Sequence, residues 1–542
     1  MLGNMMKRPL QIIDLLKFAA NRHARQEIVT RRLEGDIHRY SYADCWQRSG
    51  QLANALKKLG VQPGERVASL AWNTYRHMEL YYAVSGSGAV MHTVNPRLFG
   101  EQIAWIVNHA ESGWVFVDLS FVELLESIED ELPNVKGFVV MTDKSHMPDT
   151  KLNNALCYEE LVEPESQDFD WPDVDEDSAA LLCYTSGTTG NPKGVLASHR
   201  AMVLHAQATV SADMLDLRSD TVLMPMVTMY HVAAWGAPYA GPLSGCKLVF
   251  TGDGTSGEAM AEMIRNERVT VGLGVPTIWL TLHNYLSENS LDIPSLQRVC
   301  VGGAASPMGL VKTYDKEYDV YWQPIWGMTE TGPLVHSVPP QADIINRPKD
   351  EQYQLQTTAG RPVFGIEHRI VDADDNPLPN DGETRGELQV RGHWIASQYF
   401  RNDDLSSFPD GWLATGDIAV IDPEGFMKVV DRKKDVIKSG GEWISSLDIE
   451  NIVSQHEAVN ESCVIGVKHP KWDERPLLLV VLNKGHQLSK QDIKDFLTGK
   501  IARWWMPDDV VFVDELPHTG TGKLVKNKLR EHYQNYLQEN VS

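Results

Sequence analysis

Cysteine is sparse in this chain, with six in 542 residues at positions 45, 157, 183, 246, 300 and 463, and no two in a Cys-x-x-Cys pair. That scatter suggests neither a disulfide framework nor a zinc site, and fits a reducing cytosol. Long apolar runs are missing as well. None approaches the roughly 20 residues of a membrane span, and the apolar run at 477–482 reads as a buried strand. Residues 1–8 are basic, but no continuous apolar signal core follows them; residues 10–20 read as an amphipathic helix. Positive charge is in deficit: 50 Lys and Arg stand against 73 Asp and Glu, a net charge of −23. This argues against sequence-independent nucleic-acid binding. It leaves small anionic ligands open, because local lysines and backbone N–H groups decide those. Internal repeats and low-complexity tracts are also missing.

What is present is the length for two or more domains and an ordinary 42% apolar content. Helical spacing over 41–59, a strand at 66–70, a helix at 75–84, a strand at 89–94, a helix at 101–109 and a strand at 114–118 alternate in the manner of a layered α/β fold with a largely parallel sheet. Residues 157–177 are acidic and carry Pro164 and Pro172, which predicts an exposed connector. Further strands are expected at 269–275 and 296–301. After about residue 360, glycines, prolines and short alternating runs predict a smaller β-rich region. Beyond 431–434 a helix at 448–454, strands at 461–468 and 477–482, and a helix at 490–501 predict a compact α+β tail. The fold class is therefore α/β: a large multi-sheet layered N-terminal domain, residues 1–431, and a small mobile α+β C-terminal domain, residues 432–542.

The most informative stretch is YTSGTTGNPKG at 184–194, between a strand-length apolar run and a helix. Its glycines let backbone N–H groups approach phosphate oxygens, and its hydroxyls and lysine add donors. It is not a Walker loop, because Gly187, Gly190 and Lys193 stand three apart. The stretch resembles the signature loop of the adenylate-forming enzymes: acyl-CoA synthetases, luciferases and peptide-synthetase adenylation domains. The resemblance runs essentially end to end, with the motifs in family order.

That resemblance implies a reaction and a set of roles. A carboxylate attacks the α-phosphate of ATP to give an acyl-adenylate, and a thiol then takes the acyl group. Two anions must meet, so the work falls to cations and backbone donors. Thr185, Ser186, Gly187, Thr188, Thr189, Gly190 and Lys193 would cradle the phosphates, with Val232 beside the nucleotide. In WGMTE at 326–330, Trp326 and Gly327 would lie against adenine, Thr329 would donate to the α-phosphate, and Glu330 with Thr185 would hold Mg²⁺. The family more often has tyrosine at the position of Trp326. Gly302, Gly303, Ala304 and Ala305 would flank adenine and the acyl group. Asp417, in WLATGD, and Arg432 would bind the ribose hydroxyls, and Lys434 holds the hinge position. Lys438, Ser439, Gly440, Gly441, Glu442 and Trp443 would face coenzyme A in the thioester-forming state. Lys523, on a Gly/Thr loop, would bridge the carboxylate and the α-phosphate. His231 and Trp235 would stand at the mouth of the acyl pocket, and would share a helix face if their segment is helical. Outside this frame each motif has a plainer reading, such as a solvated turn, a core aromatic or a charged surface run.

Within the superfamily, LAWN at 70–73, YYAVS at 81–85, MYHVAAWG at 229–236 and EWISS at 442–446 look like short- and medium-chain fatty acyl-CoA synthetases. GDIHRYSY at 35–42 and NPRLF at 95–99 look closest to 3-(methylthio)propionyl-CoA ligases. The expectation is an ATP-dependent acid–CoA ligase for 3-(methylthio)propionate or a similar short- or medium-chain acid, using ATP, Mg²⁺ and coenzyme A, and forming a homodimer. The other readings are a luciferase-like oxygenase, an adenylation domain loading a carrier protein, and a non-enzymatic relative. The presence of Lys523 and Glu330 weighs against the last.

Overall fold

The computed structural model describes residues 1, 3–185, 191–440, 442–517 and 524–537, with the backbone alone at 442 and 443. Two large sheets carry the N-terminal part. One has seven strands in the spatial order Ala155–Cys157, Gly137–Val140, Ser112–Val117, Arg66–Leu70, Val90–Thr93, Ala179–Thr185 and Lys193–Ser198. All its pairs are parallel except the last, where Thr185 opposes Lys193. The other has nine strands, with a parallel centre built from Lys247–Phe250, Val222–Pro225, Val271–Gly274, Arg298–Val301 and Tyr321–Gly327. Such strands are buried on both faces, which is why they read as continuous apolar runs.

Between the two sheets runs a sandwich of helices. Tyr42–Lys58 opens on a capping box, in which Ser41 and Asp44 satisfy each other's backbone N–H groups. Tyr75–Gly86 is buried along its whole length, which explains why its sequence shows little amphipathic pattern.

The β-rich region after residue 360 is a four-stranded antiparallel sheet of Ile366–Val371, Gly386–Gly392, Leu413–Ile421 and Met427–Arg432. A smaller C-terminal domain follows. Its sheet runs Glu442–Ile444, Ile437–Ser439, Asp473–Leu482 and Val459–His469, with Asp509–Phe512 parallel to Asp473–Leu482. Helices Ser446–Val453, Lys490–Leu497 and Lys526–Tyr533 pack on it.

Two expectations need correction. The helix expected over 490–501 stops at Leu497, because the backbone leaves helical geometry at Thr498 and Gly499 takes φ +80°. Nor is 157–177 simply an exposed connector. Tyr158–Val162 is a short helix, Tyr158 is buried, and Glu159 lies 2.9 Å from Arg48 and 2.8 Å from Arg76. An acidic run reads as a solvated face until its arginine partners, some 80 to 110 residues away, are folded against it. Among the described residues no helix is long and apolar enough to cross a membrane.

Candidate functional site

The C-terminal end of strand Tyr321–Gly327 delivers WGMTE to the open rim between the sheets. Gly327 is required there, since a Cβ would sit 1.8 Å from the Pro333 carbonyl oxygen. The chain then turns through Thr329–Thr331, which places Glu330 in a buried position, 5% exposed. Its Oε1 accepts a hydrogen bond from Tyr399 at 2.8 Å, and burial pushes the carboxyl above its ordinary range. Lys193 lies over the Tyr399 ring, 4.6 Å from its centroid. The loop that carries Tyr399 is stapled on both sides: Ala396 N–H donates to the Glu330 carbonyl and Phe400 N–H to the Gly194 carbonyl, each at 2.8 Å. Thr185, Lys193, Thr329 and Glu330 are thereby brought to one rim. Ser186, Gly187, Thr188, Thr189 and Gly190 lie outside the described residues.

A second group gathers at Trp326. Its indole N–H donates to Asp417 Oδ2 at 3.2 Å, and the Arg432 guanidinium meets Asp417 Oδ1 at 2.9 Å. Asp417 and Arg432 are register partners across neighbouring antiparallel strands, which accounts for the pairing of residues 15 apart in sequence. Behind Trp326, His336 stands edge-on to the indole at 5.2 Å and bonds His368 at 2.9 Å. Burial pushes both imidazoles down, His368 to about 4.

On the other flank, residues 231–236 depart from expectation. They do not form a right-handed helix, so His231 and Trp235 do not share a helix face. Val232, Ala233, Ala234 and Trp235 all have φ between +46° and +56°, a left-handed turn. Such a conformation costs roughly 1–2 kcal/mol per L-residue, so the surroundings must impose it. Asn73 donates to the carbonyls of Pro225 and Val227 at 3.0 and 2.8 Å and accepts from Met229 N–H at 2.6 Å. Tyr81 donates to the Met229 carbonyl at 2.6 Å. The buried Cys183 thiol lies 3.1 Å from the Thr93 hydroxyl, and its pKa is pushed up to about 11 by burial. The turn aims the Trp235 indole at Gly302, where a Cβ would lie 3.3 Å from the ring. His231 caps the turn, half-buried; Gly303, Ala304 and Ala305 are exposed at the rim.

In the C-terminal domain, Ser439 accepts from Arg475 at 3.2 Å, and the Arg475 guanidinium lies 4.7 Å above Trp504. Gly440 has φ +59°, and a Cβ there would press on Trp472 at 3.0 Å. Lys438 is exposed. Gly441, Lys523 and the side chains of Glu442 and Trp443 lie outside the described residues.

Reasoning from sequence did not single out Tyr399, Cys183 or the His336–His368 pair, and no motif flags them. Asn73 and Tyr81 were noticed only as marks of likeness; their hydrogen bonds show what those residues do.

Residues 16–400 match the family model described as AMP-binding enzyme, and residues 448–523 match AMP-binding enzyme C-terminal domain. The chain belongs to the AMP-binding enzyme family. It is 46% identical to a 3-methylmercaptopropionyl-CoA ligase of Ruegeria lacuscaerulensis, over 99% of this chain and 100% of that protein. It is 43% identical to a medium-chain-fatty-acid–CoA ligase of Ectopseudomonas oleovorans, over 99% and 98%. Its fold matches the crystal structure of the anthranilate CoA ligase AuaEII in complex with anthranoyl-AMP, with a TM-score of 0.87 at 24% identity, covering 99% of this chain and 100% of that one. This chain is accordingly an ATP-dependent, AMP-forming acyl-CoA synthetase that joins a carboxylic acid to coenzyme A.

Proposed function

We propose that this acyl-CoA synthetase activates 3-(methylthio)propionate, or a short- to medium-chain acid of similar size, as its adenylate and transfers the acyl group to coenzyme A. The observation that carries the choice of acid is Trp235. The left-handed turn sets its indole against Gly302; with an acyl group seated there, the ring would shorten the space open to its chain and offer an aromatic surface suited to a thioether. The names of the Ruegeria and Ectopseudomonas relatives support the two members of that range.

The proposed roles follow the geometry. Asp417 and Arg432 take the ribose hydroxyls, a short ionised acceptor and a fork of donors suited to a diol. The face of Trp326 takes adenine, held in place by its bond to Asp417. Gly303, Ala304, Ala305 and Val232 line the nucleotide; His231, Trp235, Gly302, Gly303 and Trp326 line the acyl group. Residues 185–190, Lys193 and Thr329 donate to phosphate oxygens.

A divalent cation fits Glu330. Its buried carboxylate has one side-chain partner, Tyr399, among the described residues, and spare acceptor capacity on a site that otherwise disfavours charge. Thr185 is the second candidate ligand. When bound, Mg²⁺ supplies charge stabilisation at the phosphate oxygens. Lys523 offsets the repulsion between the two reacting anions. Residues 438–443 form the face used in the second half-reaction, with the chain divided at 431/432 and Lys434 as the hinge. We further read the protein as a cytoplasmic homodimer.

The test is a panel of acids from acetate to decanoate plus 3-(methylthio)propionate, scored by CoA-dependent AMP release. A maximum at 3-(methylthio)propionate or butyrate to octanoate is expected; no adenylate from any acid refutes the proposal. Lys434→Pro is expected to keep pyrophosphate exchange and lose thioester formation, as a hinge must absorb dihedral change. Equal loss of both reactions would count against the hinge.

A further inference from the structure

The last strand of the four-stranded sheet, Met427–Arg432, and the first of the C-terminal sheet, Ile437–Ser439, are separated by residues 433–436 alone. Asp431 lies just before this connector. Its carboxylate is buried, and its bonds reach across. Oδ2 accepts from the backbone N–H and from the hydroxyl of Ser446, both at 2.7 Å. Ser446 is the first residue of helix Ser446–Val453, whose opening N–H groups have no partner within the helix. A carboxylate is favoured at that end.

The chain of contacts continues inward. The Ser446 hydroxyl accepts from Lys526 Nζ at 2.6 Å, and Lys526 pairs with Glu450 Oε1 at 2.7 Å. Glu450 also accepts from Val464 N–H at 2.6 Å, which fixes it to the C-terminal sheet. Lys526 is 8% exposed. Burial disfavours its charge, yet Glu450 and Asp431 outweigh burial and raise its pKa. Burial likewise pushes Asp431 and Glu450 up, against the pull of Lys526. A second tie, Arg530 to Asp435, links helix Lys526–Tyr533 to the connector itself. One more buried contact crosses the connector, the Ser445 hydroxyl donating to the Val430 carbonyl at 2.7 Å, whereas Lys428–Asp448 at 3.1 Å and Arg385 over Trp505 are more exposed.

Turning the C-terminal sheet about 433–436 must pull Ser446 away from Asp431. That would strip the Asp431 carboxylate of both Ser446 donors and of the nearby Lys526 charge, which travels with the domain, while the Arg432 N–H stays on Oδ1 at 2.8 Å. We propose that Asp431, Ser446 and Lys526 form an orientation lock: Lys526 is a positioning residue that holds the C-terminal domain in the arrangement seen here, the one that serves adenylation. This rests on the two-half-reaction reading above, and Lys526 follows Lys523 by three residues in the chain. The lock acts through placement of the domain and touches no substrate.

Ser446→Ala and Lys526→Met in the full chain test it. Adenylate formation is followed as acid-dependent pyrophosphate release without coenzyme A. The second half-reaction is followed by supplying synthetic acyl-adenylate and coenzyme A. Trypsin nicking at Lys433 and Lys434 reports how far the connector opens, independently of activity. Both variants are expected to lower adenylation at least fivefold, to keep thioester formation within twofold, and to raise nicking at least threefold. Equal loss of the two half-reactions, or unchanged nicking, overturns the lock. Should Lys526→Met fail to fold, Ser446→Ala decides, since it leaves the buried ion pair intact. If wild-type protein makes no adenylate from any acid, the functional proposal fails while the nicking comparison still decides the lock.

Discussion

Two buried glutamates, Glu159 and Glu330, are almost equally hidden, at 7% and 5% exposed, and their surroundings are opposite. Glu159 is enclosed by Arg48, Arg76 and the Tyr75 hydroxyl, all within 3 Å. Arg76 goes on to Glu34 at 2.7 Å and Arg48 to Glu79 at 2.6 Å, so each charge in the network has a fixed partner. Burial alone would push Glu159 up, but Arg48 and Arg76 outweigh it and hold the carboxyl below its ordinary range. Among the described residues Glu330 has one side-chain donor, the neutral Tyr399 hydroxyl, and burial outweighs it together with the more distant Arg432 and Lys193 charges. A fully paired buried charge serves the fold, whereas an under-paired one at an open rim costs stability and is suited to a ligand.

The sharpest way to break the comparison is Glu330→Gln. Adenylate formation is expected to fall about 100-fold or more, with a Tm at pH 7 equal to or above wild type. Comparable activity in the two proteins would remove Glu330 from the site. Glu159→Gln is expected to do the reverse. It strands Arg48 and Arg76, with a loss of about 3–5 kcal/mol read by urea denaturation, and any protein that remains folded should keep its acid preference.

The two carboxyls also predict opposite pH behaviour. The folded pKa of Glu159 lies below its unfolded value, so its stabilisation is present above about pH 4.3 and is lost as pH falls through the folded value. The Tm gap between wild type and Glu159→Gln should therefore shrink in acid. The folded pKa of Glu330 lies above its unfolded value, so ionisation costs stability as pH rises beyond about 4.3. The Tm advantage of Glu330→Gln should grow from acid to neutral pH. The smallest expected effect is that of Tyr399→Phe, which removes the Tyr399 hydroxyl that donates to Glu330: about 1 kcal/mol of stability and a several-fold drop in adenylation. An unchanged pH profile in that variant would mean the hydrogen bond does not tune the carboxyl.

Much of the site was legible because its motifs are local. WGMTE and WLATGD each place their candidate side chains within a few residues, the first at the end of one strand and the second along another. The Asp417–Arg432 pair follows once two neighbouring strands are recognised. Tyr399 was not legible, since it meets Glu330 across 69 residues and sits in a loop without periodicity. The fold's alternation of strands and helices was readable from 41 to 118, but the fully buried helix Tyr75–Gly86 shows that periodicity fades where every face is covered.

By itself the sequence determined the family motifs, the two-part α/β plan and the candidates for phosphate, nucleotide and acyl group, because backbone preference, charge and hydroxyl placement act over a few residues. Tertiary structure alone decided the left-handed turn at 232–235, which runs against the preference of Val, Ala and Trp and follows a segment held by Asn73 and Tyr81 from other elements. It also decided which buried acids are paired and which are left open, since pairing depends on distances between segments that no local pattern encodes.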